Sequence, residues 1–288
     1  MKLNDKEALF ALSLIYSPGK PGMDTLLEKY ESPAELLEVL LEGEDKYIPH
    51  NITAAARAFD MNFASQVREY CENNGIQIFT RVDEGYPEMF FEVDCPPLAF
   101  YCAGDSSVLQ DKAALTIVGA RNSTEYSVKV AGTFAGAVAA EGHTIISGFA
   151  RGIDSAAHWG AINAGGKTVA VLGCGIHYDY PRGNGELKQA IINNGAVISE
   201  YPPLQSPDRE YFTIRNRLIA GLAKGVLVVQ AGVKSGSLNS ASHAISQGKD
   251  VFVIPPADIF SEDHKGQSIL IRDGAIPVFE PHDILMEL

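Results

Sequence analysis

The sequence predicts an α/β protein: an extended, doubly wound, mostly parallel Rossmann-like sheet preceded by a small all-helical module. Three observations carry this. From Ile76 onward, short Val/Ile-rich runs alternate with helical stretches, the pattern of successive βαβ units. Those runs are continuous instead of alternating apolar with polar, as strands buried on both faces require. Residues 5–74 show helical spacing with no comparable run. The expected division is residues 1–75 for the helical module and 76–288 for the sheet domain, with no winged helix after it.

In chain order, Leu9, Phe10, Leu12, Leu14 and Ile15 give a first apolar helical face. Ser17-Pro-Gly-Lys-Pro-Gly22 breaks it, and Ser32-Pro33 restarts a helix through Leu36, Leu37, Val39 and Leu40, with proline just inside the start. Ile76–Phe79 and Leu98–Tyr101 read as strands about a Pro96-Pro97 joint. Strands then follow at Leu115–Val118, Thr144–Ile146, Val169–Leu172, Val197–Ser199, Val226–Val229, Val251–Ile254 and Ala275–Val278. Helices are expected between them, reaching Ala140 and Ala164, near Leu187–Ile192, over Phe212–Leu222 and Leu238–Ser246, and at the C-terminus.

Composition excludes several classes. With 46% hydrophobic and 20% charged residues, the chain has no run of the eighteen or so apolar residues that a membrane helix needs. Its first seven residues mix acid and base and make no secretory signal, so a cytoplasmic protein is expected. Cys71, Cys95, Cys102 and Cys174 form neither C-x-x-C nor a zinc-type pair with histidine, so they are expected to be reduced and mostly buried, and no metal or cofactor is expected. The net charge of −13 is unevenly placed. Residues 1–105 hold 8 Lys+Arg against 19 Asp+Glu, or −11, and residues 106–288 hold 15 against 17, or −2. A cleft in the nearly neutral part can still bind an anion, because local potential outweighs net charge.

Five strand-end loops carry small or phosphate-friendly residues. They are Gly119-Ala-Arg121-Asn-Ser-Thr124, Ser147-Gly148-Phe-Ala-Arg151-Gly152, Gly173–Asn184 with Arg182, Ser199–Pro203 leading to Arg215-Asn216-Arg217, and Gln230–Leu238 with Lys234-Ser235-Gly236-Ser237. A strand feeding a glycine turn feeding a helix start turns backbone N–H groups and the positive helix end toward an anion. Ligands on such sheets bind at the carboxyl ends of the strands. Neither Gly119-Ala-Arg121 nor Gly173-Cys-Gly175 completes G-x-G-x-x-G, and Lys234-Ser235 lacks a proper P-loop before it, so the dinucleotide and P-loop fingerprints are absent. Residues two apart on a helix do not share a face, so at most one of Arg215 and Arg217 aims at the cleft, and the other is expected to pair with Glu200. His177 and Tyr178 are placed in a strand-end loop to stack on a base or ribose. Asp154 is read as a helix cap, His158 as a core-edge residue, and Arg151 as a DNA contact or a brace against Asp154 or Glu200.

These loops, in this order, resemble the DprA/Smf family of DNA-processing proteins of natural transformation. The residues that carry the resemblance are Val118–Thr124 with Tyr126-Ser127, Ser147–Asp154 with Ala157-His158, and Gly175 with Tyr180-Pro181 and Asn184. They continue through Ser199-Glu200 with Pro202-Pro203, Phe212 with Arg215–Gly221, Lys234–Leu238, and Gly248 with Val251-Phe252 and Pro255. Residues 76–285 are covered, and 1–74 look like the family's SAM-like helical module. The chain departs at Ser127, where glycine is common, and at Ser268 in the late loop Gly266-Gln-Ser268, where asparagine is expected.

The resemblance implies a single-stranded DNA binder, not an enzyme, that forms a homodimer, shields incoming strands and passes them to the recombinase RecA. It implies that Arg121, Ser147–Arg151 and the Arg182 loop line a DNA pocket. The full set of candidate phosphate-binding residues is Gly119, Arg121, Ser147, Gly148, Arg151, Arg182, Asn184, Arg215, Asn216, Arg217, Lys234, Ser235, Gly236 and Ser237. The dimer is expected to form through an exposed apolar face near the late sheet. The alternative is a nucleotide sensor or phosphoribohydrolase-like enzyme using Glu200, against which stands the missing Gly-Gly-x-Gly-Thr-type turn.

Overall fold

The computed structural model describes residues 3–43, 45 and 48–288. Met1, Lys2, Glu44, Lys46 and Tyr47, part of the expected helical module and of the N-terminal signal reading, lie outside the described residues.

Five helices open the chain: α1 (Asp5–Ile15), α2 (Met23–Lys29), α3 (Pro33–Glu42), α4 (His50–Ala58) and α5 (Met61–Asn73). Their starts follow from local chemistry. Asn4 and Glu7 form a capping box on α1, and Ser32 accepts the Glu35 N–H in front of Pro33 on α3. These helices are not a free-standing unit. Phe10, Ala64, Val67 and Cys71 are buried in the same cluster as Tyr101, Ala170 and Leu172 of the sheet, with Phe10 edge-on to Tyr101 at 6.3 Å. An apolar side chain buried this fully contributes about 2 kcal/mol, so α1 and α5 are fixed to the sheet by the core they share with it.

The strands are β1 (Gln77–Thr80), β2 (Ala99–Gly104), β3 (Leu115–Val118), β4 (Ile145–Ser147), β5 (Thr168–Leu172), β6 (Gly195–Ser199), β7 (Gly225–Val228), β8 (Asp250–Val253) and β9 (Ile276–Pro277). They form one sheet in the order β1-β2-β6-β5-β4-β3-β7-β8-β9. The run from β6 to β9 is parallel throughout, and β1–β2 and β2–β6 pair antiparallel at one end. The remaining helices are α6 (Glu125–Ala140), α7 (Ile153–Asn163), α8 (Gly185–Asn194), α9 (Arg209–Gly221), α10 (Gly236–Ser246), α11 (Lys265–Arg272) and α12 (Pro281–Leu285). Successive strand residues point to opposite faces. Leu115 and Ile117 therefore pack with α6 and α7, while Val118 packs with α9 and α10. Likewise Ala170 and Leu172 face α5 and α8, and Val169 and Val171 the other side.

Among the elements that differ from expectation, two lie late in the chain. Gly266-Gln-Ser268 begins α11 instead of a loop, and its buried inward residue is polar: Gln267 donates to Val229 O at 3.0 Å and to Ile254 O at 2.6 Å. The strand expected over Ala275–Val278 shortens to Ile276–Pro277, with Val278 adding one further backbone bond, its N–H donating to Val253 O at 3.0 Å.

Candidate nucleic-acid interface

The chain leaves β3 toward β4, β5 and β6, and returns on the other side through β7, β8 and β9. The topological switch therefore lies between β3 and β7, where an open α/β sheet parts its loops into a crevice. A cleft of about 890 Å³ opens there, lined by Gly119–Asn122 after β3 and Gly232–Ser237 after β7. A second cleft of about 540 Å³, lined by Gly148–Arg151 and Tyr178–Arg182, adjoins it. Both clefts share Arg121, Asn122, Ala150, Tyr180, Phe212 and Arg215, so they make one groove along the carboxyl edge.

Close packing holds the loops of this edge together. Gly152 adopts φ +80°, and a Cβ there would stand 2.5 Å from the carbonyl oxygens of Ala120 and Arg121, so only glycine brings the β4 loop against the β3 loop. Ala120 donates its N–H to Gln230 O at 2.9 Å, and the Gln230 side chain accepts the Thr124 N–H at 3.0 Å. The β3 and β7 loops are thereby fixed across the switch point.

The structure brings one part of the predicted site set into this groove. Arg121 is exposed and makes no ion pair among the described residues; its guanidinium stands 5.5 Å from the centre of the Phe212 ring. Arg182 and Lys234 are exposed, also without an ion pair among the described residues. Gly236 is exposed in the first turn of α10, where Ser235 caps the helix and bonds Ser237 Oγ at 2.7 Å. Gly119 and Gly148 line the groove with backbone, and Arg215 forms its floor. Asn184 sits half-buried at the cap of α8.

Other members of the set are withdrawn from it. The Ser147 hydroxyl is fully buried and donates to Ile117 O at 2.6 Å, so the neighbouring strand consumes it. Arg217 is buried, and its Nη atoms donate to both carboxylate oxygens of Glu200 at 2.6 and 2.7 Å. This is the pairing the helical spacing predicted, and it also removes Glu200 from acid–base work. Asn216 turns its amide to Gly236 O and Asn239 Oδ1, bracing α9 against α10. Arg151 braces neither Asp154 nor Glu200; it is exposed and donates to Arg182 O at 3.0 Å.

Asp154 is not the cap of α7. Its carboxylate is buried and accepts the Ala150 N–H at 3.2 Å; burial pushes its pKa up to about 6 against the pull of Arg215. Desolvation in turn lowers Arg215 to about 10, and its Nη1 donates to Gly148 O at 2.8 Å and to Val171 O. His158 is fully inside, not at the core edge, and burial lowers it to about 3. His177 and Tyr178 are exposed, and His177 Nδ1 shares a hydrogen bond with Tyr70 OH of α5. All four cysteines are free, three buried and Cys95 half-buried. Among the described residues, no group of three or more His, Cys, Asp or Glu is placed to hold a metal, and no helix is long and apolar enough to cross a membrane.

Sequence reasoning missed Phe212 as the centre of the groove. Its ring lies 5.9 Å from the Arg215 guanidinium and 5.2 Å from the Tyr180 ring. The signal was present: Phe212 and Arg215 are three apart on one helix and share a face.

Residues 77–288 match the profile of the DNA recombination-mediator protein A family. The chain belongs to that family, DprA/Smf. It is 36% identical over 214 residues to the DNA processing protein DprA of Bacillus subtilis (strain 168), which covers 74% of this chain and 72% of that one. The crystal structure of DNA processing protein A from Streptococcus pneumoniae superposes with a TM-score of 0.84 at 30% identity, covering 100% of this chain and 99% of that one. DNA processing protein A of Helicobacter pylori, whose structure was described for its single-stranded DNA binding mode, gives 0.66 at 31% identity over 73% of this chain and 94% of that one. The matched region makes up 54% to 73% of the length of the curated relatives.

Proposed function

We propose that this protein binds single-stranded DNA along the carboxyl-edge groove, without catalysis, in the DNA processing that accompanies transformation. The observation that carries the reading is the set of exposed cations Arg121, Arg182 and Lys234, free of ion pairs among the described residues and spaced along one groove at the switch point. Phosphate oxygens sit on the N–H groups of the Gly148 and Gly236 loops, with Arg121 and Arg182 supplying charge. Phe212 and Tyr180 offer aromatic faces to bases, and stacking of this kind tolerates any sequence.

Neutralising about three phosphates gives a log–log salt slope of about −2 for a single strand, weak for one subunit. A homodimer presenting two grooves to one strand gains affinity through effective concentration. Ile259, Phe260, Ile269, Ile276 and Phe279, exposed around β9 and α11, supply the apolar face for that dimer. The strand so held is shielded from nucleases and handed to a RecA-type recombinase. The enzymatic alternative has no support from Glu200, whose side chain is 4% exposed and locked to Arg217.

The test is binding of single- and double-stranded oligonucleotides across salt, with oligomeric state measured in parallel. Equal affinity for both forms, or none for either, would overturn the reading.

A further inference from the structure

The Gly148 loop was read as an anion seat, and the structure finds an anion already in it. Asp154 Oδ2 takes the Ala150 N–H at 3.2 Å. A Cβ built on Gly148 would stand 2.8 Å from that same oxygen and 2.9 Å from Arg215 Nη2. Carboxylate and guanidinium therefore lie together directly beneath the loop, and both line the larger cleft. The charged groups facing Asp154 are Arg215 from α9 and Arg121 from the loop after β3; Ser147 at the end of β4 and the Ala150 N–H are its polar neighbours. One carboxylate thus stands against the two cations nearest the centre of the groove.

We propose that Asp154 is a resident competitor for the phosphate of a bound strand, and that the groove takes up single-stranded DNA together with a proton on Asp154. Ionised, Asp154 holds the Ala150 N–H and offsets the field of Arg215 and Arg121. Protonated, it leaves both cations to the strand. Atoms balance simply: a proton passes from solvent to Asp154 Oδ as the phosphate enters, and returns as it leaves. Burial supports the geometry, since it already raises Asp154 to about 6, and a phosphate nearby raises it further. Reciprocity then requires that acid tighten DNA binding by the same factor by which DNA raises the proton affinity.

This inference rests on the DNA-binding reading, and the experiment separates the two. A fluorescent oligo-dT is titrated at constant ionic strength from pH 5.5 to 8 against the wild type, Asp154→Asn and His177→Gln. Removing one like charge a few ångströms from a phosphate, at the effective dielectric near a protein surface, is worth about tenfold in affinity. The wild type should therefore bind about tenfold tighter at pH 5.5 than at 7.5. The Asn variant should bind at 7.5 as the wild type does at 5.5, with no pH dependence left. His177→Gln should keep the wild-type change of affinity with pH, whatever its affinity at any one pH, because His177 is not among the groups that face Asp154.

If the Asn variant fails to fold, calorimetry of the wild type at pH 7 in two buffers of different ionisation enthalpy reads the proton directly. Net uptake of a fraction of a proton per site is expected, and none would overturn the proposal. A purely structural Asp154 would change stability and leave proton uptake at zero. Binding with the same pH profile in wild type and Asn variant would sink this proposal alone. No binding at any pH would sink the DNA reading beneath it.

Discussion

Arg217 holds Glu200 through both guanidinium Nη atoms at 2.6 and 2.7 Å, with both side chains 4% exposed. The same guanidinium also donates to the carbonyls of Asp94 and Cys95, so the pair fastens α9 and β6 to the segment before β2. Glu200→Gln leaves Arg217 as an unbalanced buried charge, for which the cost is about 3 kcal/mol. Urea unfolding should show that loss. Oligonucleotide affinity per folded molecule should stay within twofold, roughly the scatter expected for a residue outside the groove.

Arg121→Ala should weaken single-strand binding and make its log–log salt slope shallower by about 0.7, the share of one phosphate contact. Its side chain is exposed and, among the described residues, its ring contact is with Phe212 alone, so the melting temperature should hardly change. A variant that binds like the parent would show that the strand does not cross the switch point.

Gly152→Ala should cost about 2 kcal/mol or more, because a left-handed φ and two carbonyls at 2.5 Å both oppose a methyl group. Since that contact sets the β3 loop, affinity for DNA should fall alongside stability. Thermal melts and oligonucleotide titration at low temperature would read the two effects separately.

Two buried groups make opposing contributions to acid stability. His158 is lowered to about 3 from a usual 6.5, so the unfolded chain binds the extra proton between those values and stability falls as pH falls. Its Nδ1 bonds Thr168 Oγ1, which itself donates to Ile145 O; the ring N–H is therefore on Nδ1, and Nε2 is buried without a partner among the described residues. Asp154 is raised from 3.8 to about 6, so the folded chain binds the extra proton there and stability rises as pH falls. Each slope is about 1.4 kcal/mol per pH unit, and they offset one another between pH 3.8 and 6. Asp154→Asn should unmask the His158 slope, and His158→Gln should unmask the opposite one. Denaturant unfolding at pH 4.5, 5.5 and 6.5 would check both signs.

Phe260→Ser with Phe279→Ser removes two of the most exposed large apolar side chains, at 86% and 77%. Sedimentation should show a shift from dimer to monomer, and strand affinity should fall by at least tenfold through lost effective concentration. An unchanged sedimentation profile would place the dimer contact elsewhere.

Most of the sheet was legible because strands buried on both faces are written as continuous Val/Ile runs, and Leu115–Val118 was found to the residue. α11 was not legible, since it is only eight residues long and turns the polar Gln267 inward beside Leu270. That Arg215 and Arg217 do not share a face could be read from their spacing; which of them turns to Glu200 could not. The fate of Ser147 could not, because its acceptor, Ile117 O, lies thirty residues earlier on the adjacent strand. Asp154 was misread for a related reason. A carboxylate at a helix start is ordinarily a solvated cap, and this one is buried beneath the Gly148 loop beside Arg215, a residue far along the chain on α9.

Gln267 ties α11 to the carboxyl ends of two strands beside the groove. It clamps the ends of β7 and β8, and Gly266 beside it donates to Ala231 O at 2.8 Å, at the root of the Lys234 loop. Two residues further along the same helix, and turned the other way, Ile269 faces solvent. A subunit docked on Ile269 would lean on the strut that sets the height of the groove wall. Assembly and strand capture would then bear on opposite sides of one helix eight residues long.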